Sequence, residues 1–516
     1  MDTGADITVD VPDGPEACAV LEVRLKDALA DLIRWIWEER TGSSLRIFEK
    51  ELWLRIALLY RLAVALFIGV QRERLDLQGW CAQGWRIKRR FAPRTVRTLC
   101  GAVSYGRAYL TRRQDAGWFP LDARLGITRD GFSWRVIDVV TRLATRLSYA
   151  SVQRTLRALI GSSPSPEAIE KLTIGLGQRA SAFMETQGRF DNDGDVLVIE
   201  VDGKAAPMAT EAEMEARRRR RPKQAGCQCQ RHRQRQRRAA KVRKRKKRGH
   251  NSKNGRSATL VAMYTLRRGA DGKLHGPINK KIWGQFGTRQ AAVEWARAQA
   301  TRRGFGSDRP GTVQIVIDGE KCLRQRLERL FPGAVITLDI RHAQERLWKA
   351  GRQFHEEGST ELECWVEPLS RLLLNGQIGA LLRRLRQLRA SIPQRGPNTR
   401  VKRDVLDEQL AYFTERKATM RYDQYRREDL VLATGVIEGA CRYVVAERLD
   451  CSGMRWSLEG AEPVLQLRCI ELNGDWERFV EWAATQTSEE LGSGRGVQIR
   501  RPRPRPCAET KLKTAA

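Results

Sequence analysis

Three acidic residues are set where carboxylates could do chemistry. Asp202 closes the apolar run VLVIEVDG (196–203), Asp318 closes TVQIVIDG (312–319), and Glu438 lies early in GVIEGACRYVVAERLD (435–450). Short runs rich in Val and Ile read as buried strands, so two carboxylates are delivered to strand ends. The third enters from the first turn of a helix. If the two strands are neighbours, these are hard oxygen donors of the kind that hold Mg2+ or Mn2+ together with water and substrate phosphate oxygens. Two such ions about 3.5–4 Å apart activate the attacking oxygen and stabilise the leaving one in phosphodiester chemistry. Each residue alone also has a simpler meaning: Asp-Gly at a strand end is commonly a turn, and a glutamate early in a helix complements its dipole. Glu200 shares a strand face with Asp202 and is a further candidate ligand.

The elements that must position these groups can be read in order. After Val196 come a strand, a hairpin from SATLVAMYTLRR (257–268) and HGPINKKIWGQ (275–285), a helix (287–304), the Asp318 strand, a helix (321–331) and the strand AVITLDI ending near Asp339. This order predicts an α/β catalytic domain, a mixed sheet with helices on it, over 191–342 and completed by 431–486. The stretch 343–430 has helical spacing and is too long for a connection, so it is predicted as an all-helical insertion. Upstream, 18–84 reads as packed helices, 85–125 as a small basic β element, and 126–190 as helical. The last of these has a helix-turn-helix layout about Gly161, with Ser165 as N-cap and Pro166 at the first position. Residues 1–17 and the basic tail 487–516 are predicted to be disordered.

Charge narrows the class of partner. The 516 residues hold 94 Lys and Arg against 61 Asp and Glu, a net +33, which favours a polyanion such as double-stranded DNA. Much of the excess sits in a basic arm, 207–256, whose clusters Arg217, Arg218, Arg219, Arg220, Arg221 and Arg243, Lys244, Arg245, Lys246, Lys247, Arg248 are predicted to track DNA phosphates without sequence preference. Within the arm, Cys227, Cys229 and His232, with His250, make a weak zinc candidate because their spacing departs from the usual structural sites. Eleven scattered cysteines give no disulfide framework and favour a reducing cytosol. The acidic, polar N-terminus is unlike a signal peptide. The apolar stretch Leu52 to Val70 carries Arg55 and Arg61, so it is expected to be a core helix with no membrane partner.

A resemblance joins these readings. VIEVDGKA, IVIDGE followed by LDIRHAQERLW, and GVIEGACRYVVAERLDCSGMRWSLEGAEPVLQLR are similar to the DDE transposases of bacterial insertion sequences, in particular the Kra-four family, with kinship to Mutator-like transposases. It spans roughly Val196 to Phe479. The resemblance implies a ribonuclease H-like fold with an all-helical insertion, and Asp202, Asp318 and Glu438 as the catalytic, Mg2+-binding carboxylates. It places Asp339 and His342 in an auxiliary motif beside the active site, and Arg455 and Trp456 against DNA through phosphate pairing and base stacking. The long basic arm, and the absence of a zinc-ribbon cysteine set in the N-terminal half, depart from the family pattern.

The expectation is therefore a cytoplasmic, nucleoid-associated transposase, a homo-oligomer on DNA. It would bind its element's terminal inverted repeats, hydrolyse phosphodiester bonds with Mg2+ and join 3′-OH ends to target DNA. The alternatives are a non-catalytic DNA-binding descendant of such an enzyme, a nuclease of the same fold, and an RNA-binding or ribosome-associated basic protein.

Overall fold

The computed structural model describes residues 8–38, 44–113, 115, 117–188, 190–218, 255–305, 312–451 and 454–492. The chain divides into two compact units. One comprises residues up to Thr141, Ser148–Ile169 and the chain from Val480; the other comprises Arg142–Leu147 and Glu170–Phe479. Both are mixtures of helix and sheet. The boundary between them falls inside the helix Pro166–Gly177, so the helical stretch 126–190 is not a domain by itself.

The first unit is built on a three-stranded sheet in the order β1 (Val9–Asp10), β3 (Gly101–Thr111), β2 (Arg86–Thr98). β2 and β3 form the expected hairpin, turning at Gly101, where φ is +121° and a glycine is favoured. β1 corrects the reading of 1–17 as disordered over residues 8–17, while 1–7 lie outside the described residues. Val9 pairs with Val103 in parallel, and Val9 and Val11 are buried with Leu21, Leu62, Ile68 and Val103 in one core. The long helices Ala17–Glu38 and Leu45–Glu73 pack on each other. By length and composition Leu45–Glu73 is apolar enough to cross a membrane. Arg61 within it is nevertheless buried and donates Nη1 to the Cys100 carbonyl at 2.8 Å, which is how a core helix satisfies a charged residue. Downstream, Ser148 caps Tyr149–Ile160, Gly161 ends it in the left-handed conformation, and the Ser165 hydroxyl accepts from Ala168 N at 3.2 Å before Pro166–Gly177.

The second unit is built on a five-stranded sheet in the order β6 (Leu274–Gln285), β5 (Gly255–Arg268), β4 (Val196–Pro207), β7 (Thr312–Ile317), β8 (Val335–Leu338). β4 is antiparallel to β5 and parallel to β7, β5 is antiparallel to β6, and β7 is parallel to β8. β4 is central and buried on both faces from Val196 to Val201, which explains its unbroken apolar run. Val196 and Val198 belong to the same core as Val316 and Leu338, and the helices between Ile340 and Arg427 pack into that core. The predicted insertion therefore covers one face of the sheet and shares its core.

The basic arm is also shorter than predicted. β4 continues to Pro207, a helix spans Glu211–Arg218, and β5 starts at Gly255. Arg217 and Arg218 end that helix. Arg219–Arg221, Cys227, Cys229, His232, Arg243–Arg248 and His250 lie outside the described residues. At the other end, the helix Trp476–Gly492 runs through the start of the segment read as a disordered tail, and residues beyond 492 lie outside the description. The described cysteines are all free thiols.

Candidate active site

The last registered pair between β4 and β7 is Val201 with Ile317, so Asp202 and Asp318 are the next residues on adjacent parallel strands. Neighbouring strands lie about 4.8 Å apart, which brings these two carboxyl-bearing positions to one level where the β4–β7 ladder ends, while β4 itself runs on beside β5 to Pro207. Asp202 Oδ1 accepts from Gly203 N at 2.6 Å. Asp318 Oδ1 accepts from Glu320 N at 3.0 Å, and its chain turns at Gly319, where φ is +89°. Arg416 Nε donates to the Gly319 carbonyl at 2.6 Å and Tyr412 donates to the Asp318 carbonyl at 3.4 Å. The helix Thr399–Glu415 and its C-cap thus fix the backbone that carries Asp318.

Glu438 arrives on the helix Gly435–Ala440, which runs on as a π-helix over Cys441–Ala446. Such wide turns recur at functional sites because they re-aim the side chains around them. The helix is held to β4 at two points. Glu200, fully buried, accepts from Ile437 N at 2.8 Å with one oxygen and from the Tyr264 hydroxyl at 2.7 Å with the other. One turn on, the Cys441 thiol lies 3.5 Å from Asp202 Oδ2. Burial pushes that thiol far up, and the Asp202 and Glu438 carboxylates add to the shift, so Cys441 stays protonated and can donate to Asp202. Glu438 itself receives Arg341 Nη1 at 2.8 Å, with both side chains partly exposed.

Asp339 is completely buried at the start of the helix Ile340–Gly351. It accepts from Arg341 N at 2.6 Å, from Thr434 N at 3.0 Å and from the Thr434 hydroxyl. Burial works to raise its carboxyl, but His342 and these donors override it and hold it down to about 2. Asp339 therefore ties β8 to the segment that starts the Glu438 helix. His342 Nδ1 stands 3.5 Å from Asp339 Oδ2. Its ring is pushed up to about 9 chiefly by Asp339 against the effect of burial, with smaller contributions from Glu345 and Asp318.

The structure brings Asp202, Asp318, Glu438, Asp339 and His342 to one end of the sheet, but it does not close the three expected ligands around a point. Among the described residues no group of three His, Cys, Asp or Glu side chains is placed to hold a metal ion. Asp202 and Asp318 offer suitable oxygen donors, whereas Glu438 is turned to Arg341.

Of the two residues expected against DNA, Trp456 sits differently from the expectation, while Arg455 keeps an exposed face. Trp456 is a buried structural residue: its Nε1 donates to the Leu449 carbonyl at 3.0 Å and Arg448 covers its ring at 4.7 Å. No face is open for a base. Arg455 is partly exposed and pairs with Glu213 at 3.0 Å. Glu213 also closes a reciprocal cap with Thr210, each accepting from the other's backbone N–H at 3.1 Å. Ala209 N donates to the Trp456 carbonyl at 2.8 Å and Trp456 N to the Pro207 carbonyl at 3.2 Å, so 455–456 anchors the root of the basic arm. Sequence reasoning missed Cys441, Arg341 and the anchoring role of Glu200. A carboxylate inside an otherwise apolar strand was the one visible signal for Glu200.

No protein-family model matches the chain, and no curated protein is similar enough to count as a relative.

Proposed function

We propose that the second unit is a metal-dependent phosphoryl-transfer domain of ribonuclease H-like fold. The narrower proposal is a DDE transposase that cuts DNA at the ends of its element and joins the freed 3′-OH ends to a target. The observation that carries it is the pair Asp202 and Asp318, the next residues after the last registered pair of two central parallel strands, with the Glu438 helix pinned across the first strand. The strand order and directions, three antiparallel strands followed by two parallel to the first, agree with that fold.

The donor chemistry of Asp202 and Asp318 fits Mg2+ or Mn2+, and Glu438, when not paired with Arg341, would complete the set. When bound, the metal supplies activation of the attacking oxygen and charge stabilisation of the leaving one. The chain's own residues do the positioning. Glu200 and Asp339 hold the Glu438 helix to the sheet, Arg416 and Tyr412 hold the Asp318 turn, and protonated Cys441 orients Asp202. Arg341, released from Glu438, offers its charge to a DNA phosphate. The basic arm adds salt-dependent affinity, and a homo-oligomer on the DNA, in the cytoplasm at the nucleoid, suits a reaction on paired ends.

The test is incubation of the full chain with Mg2+ and a plasmid carrying the DNA that flanks its gene. Strand cleavage and joining are the expected products. Asp202→Asn, Asp318→Asn and Glu438→Gln should each lower the rate about a hundredfold or more, equivalent to about 2.7 kcal/mol of lost transition-state stabilisation. Undiminished activity in Asp202→Asn sinks the proposal. A second reading, a DNA-binding protein without chemistry, is favoured by the engagement of Glu438 with Arg341. It expects DNA binding with no cleavage by the unaltered chain.

A further inference from the structure

The first unit holds a charged cavity that the proposed chemistry does not use. It lies between the β2–β3 hairpin and the helix Pro120–Leu125, encloses about 170 Å3, and is lined by Arg94, Arg107, Asp122 and Arg129 with Phe119 and Ile127. That volume is several times the roughly 30 Å3 that a water molecule occupies in the liquid. The charges around it do not balance, since three guanidinium groups face a single carboxylate. The carboxylate is already engaged: Asp122 accepts from the Tyr105 hydroxyl at 3.0 Å with one oxygen and is ion-paired to Arg107 through the other.

Among the described residues, Arg94 and Arg129 have no carboxylate partner. Arg94 donates Nη2 to the carbonyls of Thr128 at 2.6 Å and Arg129 at 3.1 Å, which binds its position without neutralising it. The Nε atoms of both Arg94 and Arg107 are buried without an acceptor. Arg107 is only 8% exposed and lies 3.6 Å from the centre of the Phe119 ring. Burial, and after it the nearby Arg94 charge, lowers its guanidinium to about 10. Buried like charges and unsatisfied donors are costly, and a bound oxyanion removes both costs at once. Guanidinium donors match tetrahedral phosphate oxygens in particular, because their fork delivers parallel N–H groups.

We infer that this cavity is a phosphate-binding site, with the Nε groups of Arg94 and Arg107 and the side chain of Arg129 as donors. The phosphate belongs either to a small free anion or to the backbone of DNA lying along the basic hairpin. The inference does not rest on the carboxylate site of the second unit.

Calorimetric titration of the full chain with inorganic phosphate, at ionic strength held constant with chloride, tests it. The variants are Arg129→Ala, whose side chain is exposed, and Arg94→Gln, with the exposed Arg329→Ala as a charge control. One-site binding is expected in the unaltered chain and in the control. In Arg129→Ala and Arg94→Gln it should be about tenfold weaker, the worth of one charge-assisted hydrogen bond. If Arg94→Gln fails to fold, Arg129→Ala decides alone. Repeating the titration with saturating duplex DNA separates the sources: loss of the phosphate signal assigns the site to the DNA backbone, and its persistence assigns it to a free anion. Absence of saturable binding, or equal weakening in the Arg329→Ala control, overturns the inference.

Discussion

A fully buried carboxylate two residues before the first candidate ligand is costly unless every oxygen is used, and Glu200 uses both. Burial raises its carboxyl to about 7, against the pull of Tyr264 and the Ile437 N–H. Glu200→Ala should leave two buried donors unsatisfied, at a cost of about 1–3 kcal/mol each. Hydrogen exchange should then quicken over 435–440 and stay unchanged over Arg289–Arg302; protection equal to that of the unaltered chain would remove Glu200 from its anchoring role. His342 and Asp339 set a pH dependence. The His342 ring titrates near 9 in the folded chain, above its ordinary 6.5, so its contribution is complete below pH 6.5 and is lost as pH rises through 9. Asp339 is displaced downward from 3.8 to about 2, so its contribution is present above pH 3.8 and is lost as pH falls through 2. The melting temperature of His342→Gln should therefore approach that of the unaltered chain as pH is raised from 6.5 to beyond 9. A gap that stays constant across that range would refute the ion pair as its source. At this scale Asp202 and Asp318 were legible because each ends an apolar run. Trp456 was not, since whether its ring is covered depends on Arg448 and Leu449, which only the fold brings to it.

At the scale of elements, the strands, the hairpin and the helix caps followed from local pattern. The inserted helices show where pattern stops. Their spacing announces amphipathic helices, but not that Leu347, Leu369, Leu381 and Phe413 share one core with Val198, Val316 and Leu338 of the sheet. Cutting out 343–430 is therefore expected to expose the sheet face and leave the second unit insoluble, as recovery of soluble protein would report. The turn after Asp318 is equally demanding. A Cβ on Gly319 would lie 2.7 Å from Leu338 Cδ1 and 2.9 Å from the Tyr412 hydroxyl, with φ at +89°. Gly319→Ala should cost about 1–3 kcal/mol through strain and crowding. A thermal melt that does not shift would show that the turn has room to relax.

For the whole molecule, the net charge of +33 and the position of the basic arm are legible from composition, whereas the arm's limits are not. Arg256 lies in β5 and Arg217 in a capped helix, so an excision that spares the fold must stay within 219–254. Such a deletion should weaken affinity for duplex DNA and flatten its dependence on salt concentration, because fewer phosphates are neutralised. An unchanged slope of log affinity against log salt would rule the arm out as a phosphate binder.

Pro207 and Gly255 are cross-strand partners, so the ladder of β4 and β5 itself brings together the two points where the chain leaves the sheet and rejoins it. The backbone hydrogen bonds of the ladder thereby set the spacing of those two points. Each doubling of the inserted length adds only about 0.6 kcal/mol of closure entropy. A reporter domain grafted within 219–254 is therefore expected to leave undisturbed both the capped helix Glu211–Arg218 and Asp202, which lies five residues before Pro207 on β4.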